Sequence, residues 1–212
     1  MPRTAAFEAY TDRYEQWFER HEPVYRAELR AIRELLPSGG RMLEIGVGTG
    51  RFAAELGVGL GVEPCGQMAR LALRRRVSAV GGRGEELPLA GGTCDALLMV
   101  TTLCFLDDAE RAFAEALRVL RPGGRLVVGL VDLDTELGRA YERGRSSSAF
   151  YKEATFYTAS QVAAALREAG FVDLAFRQTL FAPLDEITKD EPVRPGHGKG
   201  AFAAIAAAAP SS

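Results

Sequence analysis

Apolar residues recur at helical spacings through residues 7–36: Tyr10, Tyr14, Trp17 and Phe18, then Val24, Tyr25, Leu29, Ile32, Leu35 and Leu36. Pro23 divides the stretch into two helices, and Pro37-Ser38-Gly39-Gly40 ends it. The period then changes. Short apolar runs at 41–45, 58–62, 77–80, 96–100 and 125–131 read as strands. Between them, 51–56, 67–76 and 108–121 read as helices. The last of these carries its apolar residues at 109, 112, 113, 116, 117 and 120, one continuous face. The run at 96–100 is apolar throughout, as in a strand covered on both faces.

Residues 132–157 are mixed in character, contain Ser146-Ser147-Ser148, and read as an irregular excursion. Thr158 and Gln161 form a capping box for a helix that ends at Gly170. Strands at 172–179 and 201–208 close the chain. Strands alternating with helices at these lengths imply parallel βαβ units. The fold class expected is therefore α/β: a doubly wound, mostly parallel sheet with an N-terminal helical cap. One domain is expected over 1–212, with a helical lid at 1–37, a sheet core at 38–212, and a capping excursion at 132–157.

Composition narrows the function. With 212 residues, 47% hydrophobic and 25% charged, the chain has the material for one full core. A net charge of −2 and no basic stripe argue against nucleic acid or a membrane surface as partner. Cys65, Cys94 and Cys104 form no CxxC pair, and His21 and His197 lie far apart, so no metal site is expected. Sparse cysteines, a polar start without an apolar leader core, and a longest apolar run of only residues 201–209 point to a cytoplasmic protein. There is no Asn, and 23 Arg stand against 3 Lys. Loss of thermolabile amides is a feature of thermophile proteins.

The chemistry starts at Glu44-Ile45-Gly46-Val47-Gly48-Thr49-Gly50. Glycines at the carboxyl end of a strand let a ligand approach the backbone, and the following helix aims N–H groups at it. Glu63 ends the next strand, placed to accept hydrogen bonds from a ribose diol. A dinucleotide wants G-x-G-x-x-G, but here the spacing is G-x-G-x-G. Glu44, two residues before the first glycine, would repel a phosphate and suits an ammonium group. An adenosyl ligand with an amino-acid tail is favoured over NAD.

These residues resemble motif I of the class I S-adenosylmethionine-dependent methyltransferases, of the broad type 11-like group that acts on small molecules. The resemblance spans about residues 40–180. It includes Gly61-Val62-Glu63-Pro64, Gly82-Arg83-Gly84-Glu85-Glu86-Leu87-Pro88-Leu89, Cys94-Asp95-Ala96, and Leu120-Arg121-Pro122-Gly123-Gly124-Arg125-Leu126. It implies S-adenosyl-L-methionine as cofactor, S-adenosyl-L-homocysteine as product, and a small-molecule acceptor. It also implies a seven-stranded sheet of order 3-2-1-4-5-7-6 with the last strand antiparallel. Glu44, Gly46 and Gly48 would cradle the methionine part, and Glu63 would take the ribose. Pro64 and Met68 would pack near the adenine, Gly84 and Glu85 would meet its edge, and Thr101 would lie beside the sulfonium. Arg83 stands where the family often has an Asp that touches adenine, so Glu85 is the substitute. The family's His pair after strand four is replaced by Thr102-Leu103-Cys104-Phe105.

No catalytic dyad is evident, and methyl transfer requires mainly positioning and a water-poor cleft. Residues expected near the methyl group are Tyr14, Thr101 and Tyr151. The first belongs to a roof with Tyr10 and Trp17, the last to a roof with Phe150 and Tyr157. An NAD(P)-dependent oxidoreductase and a non-catalytic S-adenosyl-ligand-binding protein are the alternatives. Arg74-Arg75-Arg76 reads as a solvated helix cap, and Cys104 as a buried inert thiol. The charge balance predicts no binding to RNA or DNA that weakens steeply between about 50 and 200 mM salt; a filter-binding titration at both salts checks this.

Overall fold

A computed structural model describes residues 4–211; the first three residues and the last of the expected domain lie outside the described residues. The lead segment forms three helices, α1 (Ala5–Ala9), α2 (Thr11–Arg20) and α3 (Glu22–Arg33). Pro23 sits in the first turn of α3, where its missing N–H is harmless. The further break, at Tyr10, was not visible in the hydrophobic pattern. There the Thr11 hydroxyl donates to the Phe7 carbonyl, a local bond that competes with helix continuation.

Alternation follows as expected: β1 (Met42–Ile45), α4 (Arg51–Leu56), β2 (Leu60–Val62), α5 (Gly66–Arg74), β3 (Ser78–Val80), β4 (Cys94–Val100), α6 (Ala109–Val119) and β5 (Leu120–Val131). Then come α7 (Glu136–Gly144), α8 (Ala159–Glu168), β6 (Val172–Thr179), β7 (Arg194–Pro195) and β8 (Phe202–Ala208). The capping box of α8 is formed, with both Thr158–Gln161 bonds present.

The sheet order is β3-β2-β1-β4-β5-β8-β6-β7. β1 to β5 are parallel, and β8 runs antiparallel between β5 and β6. This is the expected mostly parallel, doubly wound α/β sheet, with eight strands rather than seven. The extra strand, β7, is only Arg194–Pro195 on the outer edge of β6. Two residues, one of them a proline tolerated at an edge, leave no periodicity to read.

Alternation within β4 shows how the two layers are specified. Leu97 and Met99 face the layer of α6 and α8, while Leu98 and Val100 face the layer of α3, α4 and α5. The all-alanine stretches of β8 let α3 approach the sheet closely. On α3, Val24, Ala27, Leu29, Ala31 and Ile32 are buried, and the helix packs on β5, β6 and β8. The expected lid boundary at residue 37 is therefore too late, because α3 is a layer of the core. Only α1 and α2 stand over the strand ends.

The excursion at 132–157 is more ordered than its sequence indicates, since it contains α7. The Thr135 hydroxyl caps this helix by accepting from the Gly138 N–H at 3.1 Å. Among the described residues of α7 only Gly138 is fully buried, so the helix presents no core-facing apolar stripe.

The lead helices are bolted to the sheet by charge. Glu15 on α2 accepts from Arg51 Nη2 at 2.8 Å and also from Arg75. Arg75 also donates to the Thr49 carbonyl at 3.0 Å. It is thus part of a half-buried bridge, not a solvated cap. Burial alone would raise the Glu15 carboxyl, but hydrogen bonds led by that from Arg51 outweigh it and hold the group below its ordinary value. The unfolded chain therefore takes up this proton first as pH falls. The stabilisation is full above about pH 4.5 and disappears as pH drops through the lower folded-state value. Glu15→Gln should lose about 1–2 kcal/mol at pH 7, roughly 2–8 °C in Tm. Thermal melts of both proteins should converge as pH falls below the carboxylate range.

Candidate functional site

The loop from Gly46 to Gly50 joins β1 to α4 in conformations that side chains resist. Gly46, Gly48 and Gly50 have φ of +68°, +55° and +78°. A Cβ on Gly46 would lie 2.4 Å from Thr102 Cγ2. Thr102 itself donates to the Gly46 carbonyl at 3.3 Å, so the ends of β1 and β4 are closed against one another. A Cβ on Gly48 would stand 3.8 Å from the Tyr14 hydroxyl, which makes the bare backbone there the floor beneath α2.

Glu63, at the end of β2, is 7% exposed. One carboxylate oxygen accepts the Gly48 N–H at 2.8 Å, and the other accepts the Cys65 N–H at 2.8 Å. Burial pushes its carboxyl above the ordinary value, with the two backbone bonds pulling it back. Each oxygen keeps a second lone pair directed outwards from these bonds.

Glu63 opens on a cavity of about 640 Å³ at the carboxyl ends of the parallel strands. Gly46, Gly48, Pro64, Met68, Gly84, Glu85 and Thr101 line it as well, as do Tyr14 and Tyr151. All but one of the residues expected to hold the cofactor or to lie near the methyl group thus line one cavity. The exception is Glu44, which is 2% exposed and lies behind the loop instead of in the cavity wall. Its Oε2 has no hydrogen-bond partner, and burial holds its carboxyl well above the ordinary value. Glu44 thus stands next to the glycine loop in sequence but outside the cavity lining. Glu85 is engaged within the protein: its Oε1 accepts the Asp107 N–H at 2.8 Å, and Arg83 lies 3.5 Å from Oε2.

Thr101 is held at φ +50°, a left-handed conformation strained for a β-branched residue. Leu180, at the end of β6, has φ +65° and also lines the cavity. Two of the four non-glycine residues with positive φ among the described residues thus border the cavity; Arg76 and Asp173 do not.

The roof is a chain of aromatic rings. Phe7 of α1 meets Phe105 at 4.9 Å, Phe150 at 5.4 Å and Tyr14 at 5.9 Å between centroids. Phe105 stacks on Tyr151 at 5.8 Å, and Tyr151 meets Tyr141 at 5.3 Å. The lead helices and the excursion therefore touch each other above the strand ends. Tyr10 and Tyr157 do not line this cavity: Tyr10 is 47% exposed, and Tyr157 borders a small neighbouring pocket with Cys104. Burial, then the Glu44 and Glu63 charges, raise the Tyr14 phenol, so it stays a neutral hydroxyl.

Phe7, Phe105, Tyr141 and Glu28 also line the cavity and were missed from the sequence. Phe105 sits in a short segment without periodicity, whereas Phe7 stands at helical spacing from Tyr10 and Tyr14, a signal that was present. For Glu28 a signal existed: it stands on the stripe Val24–Glu28–Ile32, where an apolar residue is due.

A glycine loop at a parallel strand end, an acid on the next strand and a roofed cavity at the switch in strand order define a nucleotide-cofactor enzyme of the doubly wound class. Residues 43–128 match the methyltransferase domain family. An uncharacterized protein of Methanocaldococcus jannaschii is 39% identical over 95% of this chain and 97% of its own. A Thermotoga maritima structure, described as a SAM-dependent methyltransferase and possible histamine N-methyltransferase, is 46% identical with TM-score 0.95, covering 97% of this chain and 99% of that one. The Haemonchus contortus phosphoethanolamine N-methyltransferase 2, solved with S-adenosylhomocysteine, shares the fold at TM-score 0.62 and 18% identity, over 88% of this chain and 53% of that one. The chain belongs to the class I S-adenosylmethionine-dependent methyltransferase family, whose cofactor is S-adenosyl-L-methionine. No helix among the described residues is long and apolar enough to cross a membrane.

The residues present fit that cofactor: bare glycine backbone on the floor, a buried carboxylate with spare lone pairs at the end of β2, and, among the described residues, an unpartnered buried oxygen on Glu44. Glu63→Gln sets an amide NH2 against one of two N–H donors. It should weaken S-adenosylhomocysteine binding tenfold or more, since a bond to a charged group contributes about 1.5–3 kcal/mol. Titration calorimetry measures this, and unchanged affinity would reduce Glu63 to a structural tie.

Proposed function

We propose that this protein transfers the methyl group of S-adenosyl-L-methionine to a small-molecule acceptor. The observation that carries the reading is the single cavity in which Gly46, Gly48, Glu63 and Thr101 form the floor and Tyr14, Phe105, Phe150 and Tyr151 form the roof. When bound, the cofactor supplies an electrophilic methyl on a sulfonium whose departure as neutral sulfur needs no acid. The chain's own task is to bind, align and exclude water.

In this reading Glu63 holds the ribose, and the backbone at Gly46 and Gly48 receives the methionine part. Pro64, Met68, Gly84 and Glu85 border the adenine. Thr101, Tyr14 and Tyr151 flank the methyl. The tyrosines present neutral hydroxyls and ring faces, which favour a sulfonium by cation–π attraction. The roof helices α1 and α2 act as the lid. The Thermotoga relative is described as a possible histamine N-methyltransferase, which accords with a small organic acceptor here. The absence of Asn and the unpaired spacing of the cysteines support a heat-adapted, cytoplasmic enzyme.

S-adenosylhomocysteine should raise Tm by mass action and NAD should not. Hydrogen exchange over residues 7–20 should slow when S-adenosylhomocysteine binds. Equal shifts with both ligands would overturn the cofactor reading. Binding without transfer of labelled methyl to any acceptor in a metabolite pool would instead make the protein a non-catalytic binder.

A further inference from the structure

The buried carboxyl groups of this fold are accounted for, except one. Glu63 and Glu85 accept backbone N–H groups, Asp132 accepts those of Asp134 and Ala159, and Glu44 accepts that of Ala53. Glu28 on α3 is 5% exposed, and no hydrogen bond or ion pair to it exists among the described residues. What exposure remains is to the cavity it lines. A carboxyl at such a place is unfavourable without a partner.

Its position separates it from the cofactor's half. The cofactor residues sit at the ends of β1, β2 and β4, whereas α3 packs on β5, β6 and β8, across the switch in strand order. Fields on the tyrosines agree. Tyr14 feels Glu44 and Glu63 as well as Glu28, but Tyr141 on α7 feels Glu28 alone. Tyr14 thus stands between the two halves, and Glu28 belongs with Tyr141 in the half left for the acceptor. Arg13 and Arg20 line the cavity but are exposed, and neither pairs with Glu28. Burial, with nothing opposing it, raises the Glu28 carboxyl to about 8. A bound cation would reverse this, restoring the carboxylate it neutralises.

We infer that Glu28 is the acceptor-recognition residue and that the acceptor is a small organic amine, its cationic nitrogen paired with the Glu28 carboxylate and its body held among the aromatic rings of the roof. A buried charge left without its partner discriminates strongly against analogues that lack the nitrogen. Tyr141 and Tyr151 add ring faces to which a cation is attracted. The inference rests on the methyltransferase reading of the same cavity, because it assigns Glu28 to the acceptor half.

The test loads the protein with S-adenosylhomocysteine and titrates benzylamine, 2-phenylethylamine, tryptamine and histamine by calorimetry. Each amine is compared with the alcohol of the same skeleton. At least one amine should bind tenfold or more tightly than its alcohol. In Glu28→Gln that preference should fall to near one, while S-adenosylhomocysteine affinity stays unchanged. If no amine outbinds its alcohol in the unaltered protein, or if Glu28→Gln keeps the preference, the inference is wrong. If S-adenosylhomocysteine itself fails to bind, the methyltransferase reading fails instead. Should Glu28→Gln not fold, Glu28→Asp, with its shorter reach, should retain the amine preference but weaken it, and an unchanged preference in Glu28→Asp would overturn the inference.

Discussion

One carboxylate organises the cofactor side of this protein. Glu63 accepts an N–H from the loop after β1 and another from the turn after β2, both at 2.8 Å. Two adjacent strand ends are thereby held in one geometry. The loop after β1 has to adopt left-handed conformations to reach Glu63, and glycine allows this at Gly46 and Gly48. Thr102 then closes the gap between β1 and β4. The floor is rigid because a charged acceptor, bare backbone and a packed hydroxyl each restrain the same few residues.

The roof depends on that floor at second hand. Arg51 opens the helix that follows the glycine loop, and its guanidinium holds Glu15 of α2. Arg75, at the end of α5, holds the same carboxylate. The Tyr25 hydroxyl donates to the Arg51 carbonyl at 2.7 Å, so α3 is tied in as well. Any change in the loop is thus felt by the helix that carries Tyr14. Floor and roof are thus joined by hydrogen bonds and ion pairs.

The site departs from what stability alone would favour. Thr101 and Leu180 occupy left-handed conformations, Glu44 keeps an unpartnered oxygen, and Glu28 is buried without a partner. Each is unfavourable alone and is maintained by the surrounding α/β core. Thr101, Leu180 and Glu28 border the cavity, which fits a division in which the core supplies stability and the strand ends supply function.

The hydrophobic periodicity of the chain was sufficient for the alternating strands and helices, and the glycines with Glu63 were sufficient to locate the floor of the cavity. Both signals are local, because a buried strand or a left-handed turn constrains residues adjacent in sequence. The extra strand β7 was not legible, since two residues have no period. Helix α7 was not legible either, because its apolar residues Leu137 and Tyr141 are only partly buried where they border the cavity, and so give no continuous buried stripe. The withdrawal of Glu44 behind the loop, the pairing of Arg75 with Glu15, and the meeting of Phe7 with Phe150 needed the fold. The two pairings join residues 60 and 143 positions apart, and the burial of Glu44 is a side-chain direction that spacing does not encode. Glu28 lies between these cases. Its place on an apolar stripe is written in the sequence, but only the packing of α3 on β5, β6 and β8 shows that the carboxyl opens on the cavity.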